Sequence, residues 1–419
     1  MVRTAYILLT LWFGIFHVSA KEVENADSLL TLKGTVKDAR SKKRLANVNV
    51  SVIGKEVGTM TNDDGVFAIK INKEDMEGRL HFSCIGYANG SMACKDFSAG
   101  GEGPAVFLNP VSRMLGEVNV YGGDAQSIVE EALRRIDINY PLQPHLLNMF
   151  YRETISKGSR FVGISEGVMD VYKDSYKRRS VSRDRVRMLR GRRLLSQRSR
   201  DTLAVKVQGG PTLSVYFDLM KNADAVFDGE TMQYYAFRHE HVETLDDRLH
   251  YVVSFTPIAI VDYPLFSGLL YIDVNTLCLS RAEMSLDVSD KEKANKMLLQ
   301  KKPSGLRFKT REARMVVAYR QHGGKACLDY IKNTIRFKCD WKRRLFSSAY
   351  TAVAEMVVVD ADADVQTNIP LSEAFSNKKL FSDEAEQNWD HDFWKDYNII
   401  EPTESLEKAV TKLRRRTMR

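Results

Sequence analysis

Apolar and polar residues alternate along most of this chain with a period of two, the spacing of strands half-buried in a sheet. Over residues 30–110 the runs LTLKGTVKD, ANVNVSVIG, GVFAIKI, RLHFSCIGY and PAVFLNP are short and divided by turn residues. Val48, Val50 and Val52 alternate with Asn47, Asn49 and Ser51, and the run from Val66 to Ile71 follows Asn62-Asp63-Asp64-Gly65, a strong turn signal. Strands of this length and spacing predict a small antiparallel sandwich over 30–112. Over 145–362 the alternation is longer, as in YRETISKGSRFVGISEGVMDVYKDSY and GLLYIDVNTLCLSRAEMSLDV, and predicts a large, curved antiparallel sheet. The fold class is therefore mainly β, with a few helices.

Helical spacing is confined to three places. Ile128, Val129, Ala132, Leu133 and Ile136 share one helical face ahead of Pro141, which predicts a helix over 124–140 that joins the two domains. DKEKANKMLLQ, Asp290 to Gln300, is the one good helical interruption of the large sheet. Residues 375–419 form a C-terminal helical segment, with a helix from Thr403 that packs through Leu406, Val410 and Leu413. Its acids Glu404 and Glu407 come early and Lys412, Arg414, Arg415 and Arg416 late, an order that complements the helix dipole.

The first part of the chain also carries a motif set: GTVKDARSKKRLANVNVSVIGKEVGTMTNDDGVFAIKI, then LHFSCIGY. Gly34, Val36, Asp38, Asn47, Val48, Val50, Gly58, Thr59, Thr61, Gly65, Phe67, Phe82, Ser83, Ile85, Gly86 and Tyr87 stand where the carboxypeptidase-regulatory-like domain has its pattern. The segment resembles that domain, which implies a prealbumin-like β-sandwich serving as a structural appendage without peptidase chemistry. The residues agree, because a zinc carboxypeptidase needs a His-x-x-Glu ligand pair and none of the eight histidines has a glutamate three positions on. The hairpin Gly268 to Asp287 is similar to one in half-barrel proteins that carry or sort outer-membrane lipoproteins. The order of parts, with EEALRRIDINYP, FYRET, SEGVMDVYK, GLLYID and the closing FWKDYNIIEPTESLE, resembles a family of uncharacterised proteins of the Gram-negative envelope. Some relatives continue into a C-terminal outer-membrane barrel, which this chain does not include.

The N-terminus changes the picture by pointing to export. Arg3 precedes an apolar run from Ala5 to Phe16, and Val18-Ser19-Ala20 is an A-x-A-like cleavage site, so a signal peptide is expected at 1–20. Lys21, where a lipoprotein would have cysteine, argues against lipid attachment. No later stretch approaches the roughly 20 apolar residues of a membrane helix, so the expected place is the periplasm or the outer-membrane surface. The five cysteines leave at least one unpaired. Cys84 with Cys94, and Cys327 with Cys339, could bridge only across three-residue hairpin loops centred on Asn89 and Asn333.

Without Arg3 the chain has 61 basic residues against 54 acidic ones. Eleven of the basic residues fall between Lys177 and Arg200, with Asp184 as the single acid. In an exported protein, and with no aromatic residue interleaved to stack on bases, this run argues against nucleic acid. The alternatives are a solvated charged loop or a contact with anionic lipid, lipopolysaccharide or glycan through Arg187, Arg190, Arg192 and Arg193.

Two stretches test for chemistry. Gly163-Ile164-Ser165-Glu166-Gly167 satisfies G-x-S-x-G, but a nucleophile elbow needs a strand, a sharp turn and a helix. Here strand alternation passes straight through Ser165. Glu166 and Asp170 then fall on the face of Val162, Ile164, Val168 and Tyr172, where a buried Glu166 needs a partner. Gly163 and Gly167 flank Ser165 on the other face, which implies close approach of a neighbouring segment. The second stretch is YYAFRHEHVETLDDRLHYVVSF. If Thr244–Asp247 form the loop, His241 opposes His250 and Glu243 opposes Arg248, and His239, His241, Glu243 and His250 share the non-core face. His239, His241 and His250 are then a weak zinc candidate, against the plainer reading of a polar outer face with a cross-strand ion pair. No cofactor is implied. The expected function is non-enzymatic binding or scaffolding among envelope proteins or outer-membrane components, in envelope assembly or nutrient uptake. The alternative is a lipid or lipoprotein carrier, which requires a continuous apolar lining on one face of the curved sheet.

Overall fold

The computed structural model describes residues 29–417 except 56, 98–102, 112–123, 196–204, 208, 223–225, 228–229, 342–346, 363–367, 377–378 and 388–397, with backbone only at 206, 361–362, 387 and 413–417. The expected signal peptide lies outside the described residues.

The N-terminal part is a two-sheet sandwich. Strands β1 (Leu29–Asp38), β4 (Val66–Asn72) and β7 (Ala105–Leu108) form one sheet in the order β4-β1-β7, in which β7 runs parallel to β1. Strands β2 (Asn49–Val52), β3 (Gly58–Met60), β5 (Arg79–Ser83) and β6 (Gly90–Ala93) form the other in the order β3-β2-β5-β6. The alternating valines Val48, Val50 and Val52 face inward onto Phe67, Phe82 and Phe97, which pack at 5.5–6.4 Å between ring centres. Asp38 caps the turn after β1 through the Arg40 and Ser41 amides and accepts from the Tyr87 hydroxyl at 2.8 Å.

The larger part is one curved sheet of ten antiparallel strands. They are β8 (His145–Lys157), β9 (Arg160–Lys173), β10 (Arg185–Leu195), β12 (Tyr235–Leu245), β13 (Arg248–Pro257), β14 (Phe266–Asp273), β15 (Leu279–Leu286), β17 (Leu306–His322), β18 (Lys325–Trp341) and β19 (Ser348–Asp362). Their order is β10-β9-β8-β19-β18-β17-β15-β14-β13-β12, so β10 and β12 are opposite edges. Register shifts, for example between Met188 and Arg190 and between Val358 and Asp360, insert extra residues that bend the strands.

One face of this sheet carries the main core, including Met149, Tyr151, Met169, Val171, Val253 and Met356. It is covered by α1 (Ala125–Arg134), α2 (Ile136–Asn139), α3 (Pro211–Tyr216) and α5 (Phe381–Gln387). The expected single helix over 124–140 is therefore two, broken at Arg135 and packed into the large core. Alpha-helix α4 (Lys291–Leu298) starts at Asp290, whose side chain accepts from the Glu292 and Lys293 amides, and a small ladder of β11 (Lys206–Val207) with β16 (Leu299–Lys301) lies beside it. Helix α3 was not legible in the sequence, being six residues long.

The sandwich docks on the opposite face. Met60 packs with Phe150, Tyr330, Val357, Val359 and Ile400, and Asn49 donates to Asp329 at 2.8 Å. Residues 398–402 run through this junction: the Ile400 carbonyl accepts from Arg152 at 2.8 Å and the Ile399 carbonyl from Thr59 at 3.1 Å. Helix α6 (Glu404–Thr417) then lays Leu406 and Val410 against Ile164 and Leu194.

Neither cysteine pair forms a bridge, and all five cysteines are free. Cys327 and Cys339 lie on the same strand, β18, twelve residues apart, which at about 3.3 Å per residue is far beyond disulfide reach. Between β5 and β6 the register pairs Phe82 with Gly90, so the connection is longer than three residues and Cys84 does not oppose Cys94.

Candidate functional site: an apolar cavity over the large sheet

Small residues on the core face of the sheet leave a gap that the covering elements do not fill. Gly163 and Ser165 on β9, Ala352 and Ala354 on β19, Ala313 on β17 and Asn333 on β18 form its floor, and a cavity of about 470 Å³ lies above them. That is within the roughly 300–1,000 Å³ usual for small-molecule sites. Its floor crosses eight strands from β10 to β14; its roof is β11, α3, α4, β16 and the start of α5. Ile155, Val162, Leu195, Val205, Val207, Leu213, Phe217, Phe266, Leu286, Met297, Leu298, Met315, Ile335, Leu380 and Phe381 make the lining mainly apolar.

A few polar groups interrupt this lining. Glu153 accepts from the Tyr151 hydroxyl at 2.7 Å and the Gly210 amide at 2.9 Å. Burial raises its pKa above the ordinary value despite these two donors; the surface it still exposes faces the cavity. Ser214 receives a 3.4 Å hydrogen bond from the Asn333 amide group, while Asn333 Oδ1 is buried without a partner among the described residues. Arg193 reaches the cavity from β10, its Nη1 bound to Asp383 at 3.2 Å and Glu386 at 2.7 Å, with Nε buried and unpartnered among the described residues.

Ser165 sits in mid-strand, buried, with strand pairing to Glu153 on one side and Arg193 on the other. No histidine is among the described residues that line the cavity, so Ser165 has no imidazole base there. The close approach expected beside it is present at Gly167, where a Cβ would lie 3.1 Å from the Phe381 ring of α5.

Glu166, on the opposite face, is fully buried between two arginines. Arg152 Nε donates to it at 2.6 Å and Arg192 binds its other oxygen. Burial by itself would raise the carboxyl pKa, but the charges and hydrogen bonds of Arg152 and Arg192 outweigh it and hold the pKa at about 2.

The arginine run is a solvated loop only in part: Lys177, Arg178 and Arg183 are exposed on a turn and irregular chain, and residues 196–200 lie outside the described residues. Residues Arg185–Leu195 are the edge strand β10, and acids of neighbouring elements neutralise it. Arg187 pairs with Asp170 at 2.7 Å and Glu373 at 2.8 Å, Arg192 with Glu166, and Arg193 with Asp383 and Glu386. Arg190 is exposed and donates to the neighbouring Leu189 carbonyl at 2.8 Å. The four arginines expected to meet a polyanion thus lie on both faces of β10, and Arg187, Arg192 and Arg193 pair with acids of the fold. Their acids stand 17 to 193 residues away in sequence, where periodicity gives no sign of them.

The histidines are not brought together either. Asp246 and Asp247 both have φ of 54° and form a two-residue turn, so Glu243 opposes His250 and His241 opposes Val252. A bulge between His239 and His241 then turns His239 to the other face, where its ring meets Tyr251 at 5.7 Å. His250 is buried, with Nδ1 3.0 Å from the Arg248 carbonyl and Nε2 2.8 Å from the Ser280 hydroxyl. Among the described residues no group of three or more histidine, cysteine, aspartate or glutamate side chains is placed to hold a metal ion.

Comparison with known proteins bears mainly on the first domain. Residues 32–120 match the family model of the CarboxypepD_reg-like domain. No curated protein matches the chain. Among solved structures the chain is similar to a DUF1329 family protein from Desulfovibrio piger, with 12% sequence identity over 59% of this chain and 96% of that one and a TM-score of 0.25. It is also similar to a Vibrio parahaemolyticus domain proposed for outer membrane lipoprotein sorting, with 11% identity over 58% and 94% and a TM-score of 0.26. At these scores the likeness bears on neither ligand nor role. Among the described residues no helix is long and apolar enough to cross a membrane.

Proposed function

We propose that this protein is a non-enzymatic binding protein of the cell envelope whose large sheet holds the apolar chain of a lipid-like ligand. The observation that carries the reading is the apolar cavity on the core face of the sheet. A scaffold calls for a polar or tightly packed face, whereas a carrier calls for an apolar lining with a few polar groups to orient one end of its ligand. Burial of about ten methylenes at ~0.8 kcal/mol each offsets association costs of about 4 kcal/mol or more, enough for reversible capture. The sandwich, docked on the far face, leaves the cavity side of the sheet to the ligand.

The test is extraction of lipid from purified protein, with Ala352→Trp as the comparison. An indole at Ala352 projects from the cavity floor into the space a chain would fill. A single class of acyl-chain compound bound to the parent and absent from the variant supports the proposal. A parent that retains no such compound, and that binds no fluorescent fatty acid when it is supplied, refutes it.

A further inference from the structure

Two glutamates on paired strands are treated in opposite ways by this fold. Glu166 of β9 is fully buried between Arg152 and Arg192. Glu153 of β8 lies on the other face of the sheet, in the cavity lining, and no cation among the described residues acts on it. Its Oε1 accepts from the Tyr151 hydroxyl at 2.7 Å and the Gly210 amide at 2.9 Å, and Oε2 accepts from no described residue. Burial raises its pKa above the ordinary value despite those donors, so the folded chain holds this carboxylate less well than water does. A buried carboxyl left without a cation beside open space marks a site for a ligand group.

The rest of the lining fixes the sign of that group. Arg193, Arg314 and Lys379 are the cations among the described lining residues, and each is met by acids that stand outside the lining. Arg193 binds Asp383 at 3.2 Å and Glu386 at 2.7 Å, Lys379 binds Glu384 at 3.0 Å, and Arg314 binds Glu312. Glu153 is the one acid among the described lining residues. An anionic head would meet Glu153 with every lining cation already paired, and like charges brought together at a desolvated site repel strongly. The cavity therefore suits a head that carries no negative charge and donates a hydrogen bond.

Ser165 narrows the choice to a hydroxyl. It stands directly across from Glu153 in the pairing of β8 with β9 and lines the same cavity, and its hydroxyl has no hydrogen-bond partner among the described residues. Opposed residues hold their Cβ atoms about 5 Å apart, so one oxygen can reach both. A hydroxyl donates to Glu153 Oε2 and accepts from Ser165 Oγ, which satisfies all three groups. An ammonium brings three donors to those two oxygens and leaves one N–H unpaired in an apolar space.

We infer that Glu153 and Ser165 form the head-group subsite of the cavity, and that the ligand is a long-chain alcohol or an acyl lipid that ends in a free hydroxyl. This rests on the cavity reading above and names the polar end of its ligand. A fatty acid enters by its chain alone, with its carboxylate turned away from Glu153, and binds more weakly.

Calorimetry on the purified protein at neutral pH tests it with decanol, decanoate and decylamine, three ligands that share a chain. The parent is expected to bind decanol more than about tenfold more tightly than decanoate, since one ligand gains a hydrogen bond to a charged acceptor where the other meets repulsion. Glu153→Gln keeps an acceptor for Tyr151 and Gly210 but removes the charge, and should bring decanoate to within about threefold of decanol. Ser165→Ala should weaken decanol by about three- to tenfold and leave decanoate unchanged. An unchanged circular dichroism spectrum verifies the fold of both variants. Decanoate bound by the parent as tightly as decanol, decylamine bound more tightly than decanol, or a preference that survives Glu153→Gln overturns the head-group assignment while the cavity reading stands. A parent that binds none of the three ligands refutes both.

Discussion

Glu166 shows how much one side chain depends on its partners. Its pKa of about 2, against an ordinary 4.5, means that the folded state holds the carboxylate more strongly than the unfolded chain does. That stability is present above pH 4.5 and is lost as the pH falls toward 2. Glu166→Gln strands Arg152, which is 3% exposed, and should cost about 3–5 kcal/mol in urea unfolding at neutral pH. The variant should also lose part of the parent's acid sensitivity in that window. The same logic applies to Lys173, fully buried between Asp184 at 2.6 Å and Asp218 at 2.8 Å, where Tyr176 and Tyr319 also donate to Asp218. Lys173→Met leaves both aspartates without this cation and is expected to destabilise by about 3–5 kcal/mol, measured in the same way. The need of Glu166 for a partner was legible in the alternation of β9. Which residues answer it was not, because ion pairs between distant strands leave no periodic trace.

Among elements, strand alternation was the reliable signal and turn geometry the unreliable one. From Gly163 onward the faces of β9 follow the sequence pattern, but a register shift at Val162 breaks it at the start of the strand, where Phe161 packs with Ile164 and Val162 joins the cavity lining. The β12–β13 hairpin does not, because Asp246-Asp247 adopts the positive φ that an Asn-Gly or Asp-Gly pair would have announced, and the bulge at Glu240 then moves His239 across the sheet. The β18 strand likewise runs through Asn333, so a turn residue there was no turn. The cavity was missed for a related reason: small residues on one face of β9 and β19 become a void only once α3, α4 and α5 are placed above them. Gly191 fixes one of these helices. A Cβ there would lie 2.7 Å from Ala385 Cα, so Gly191→Ala must push α5 away from β10. The expected loss is about 1–3 kcal/mol, with faster amide exchange in α5 than in α6; equal exchange rates in parent and variant would show that α5 is not held by this contact.

At the scale of the whole molecule, the mainly β class and the division into a sandwich and a larger curved sheet were readable from run lengths alone. What the sequence did not show is how the two parts meet. Met60 in the sandwich, Ile400 in the C-terminal segment and Phe150 and Tyr330 in the sheet share one apolar contact, and Arg152 ties Glu166 to the Ile400 carbonyl. Calorimetry should therefore give a single transition, and two well-separated transitions would mean that the parts unfold independently. This shared support keeps the sheet rigid beneath the cavity, so the central claim concerns the cavity's occupant. The most direct measurement is a crystal structure after soaking with a fatty acid brominated near the end of its chain. The account predicts a bromine peak inside the cavity, among Ile155, Met297 and Met315. A cavity filled by ordered water or by the protein's own side chains, with bromine absent from it, would contradict the account.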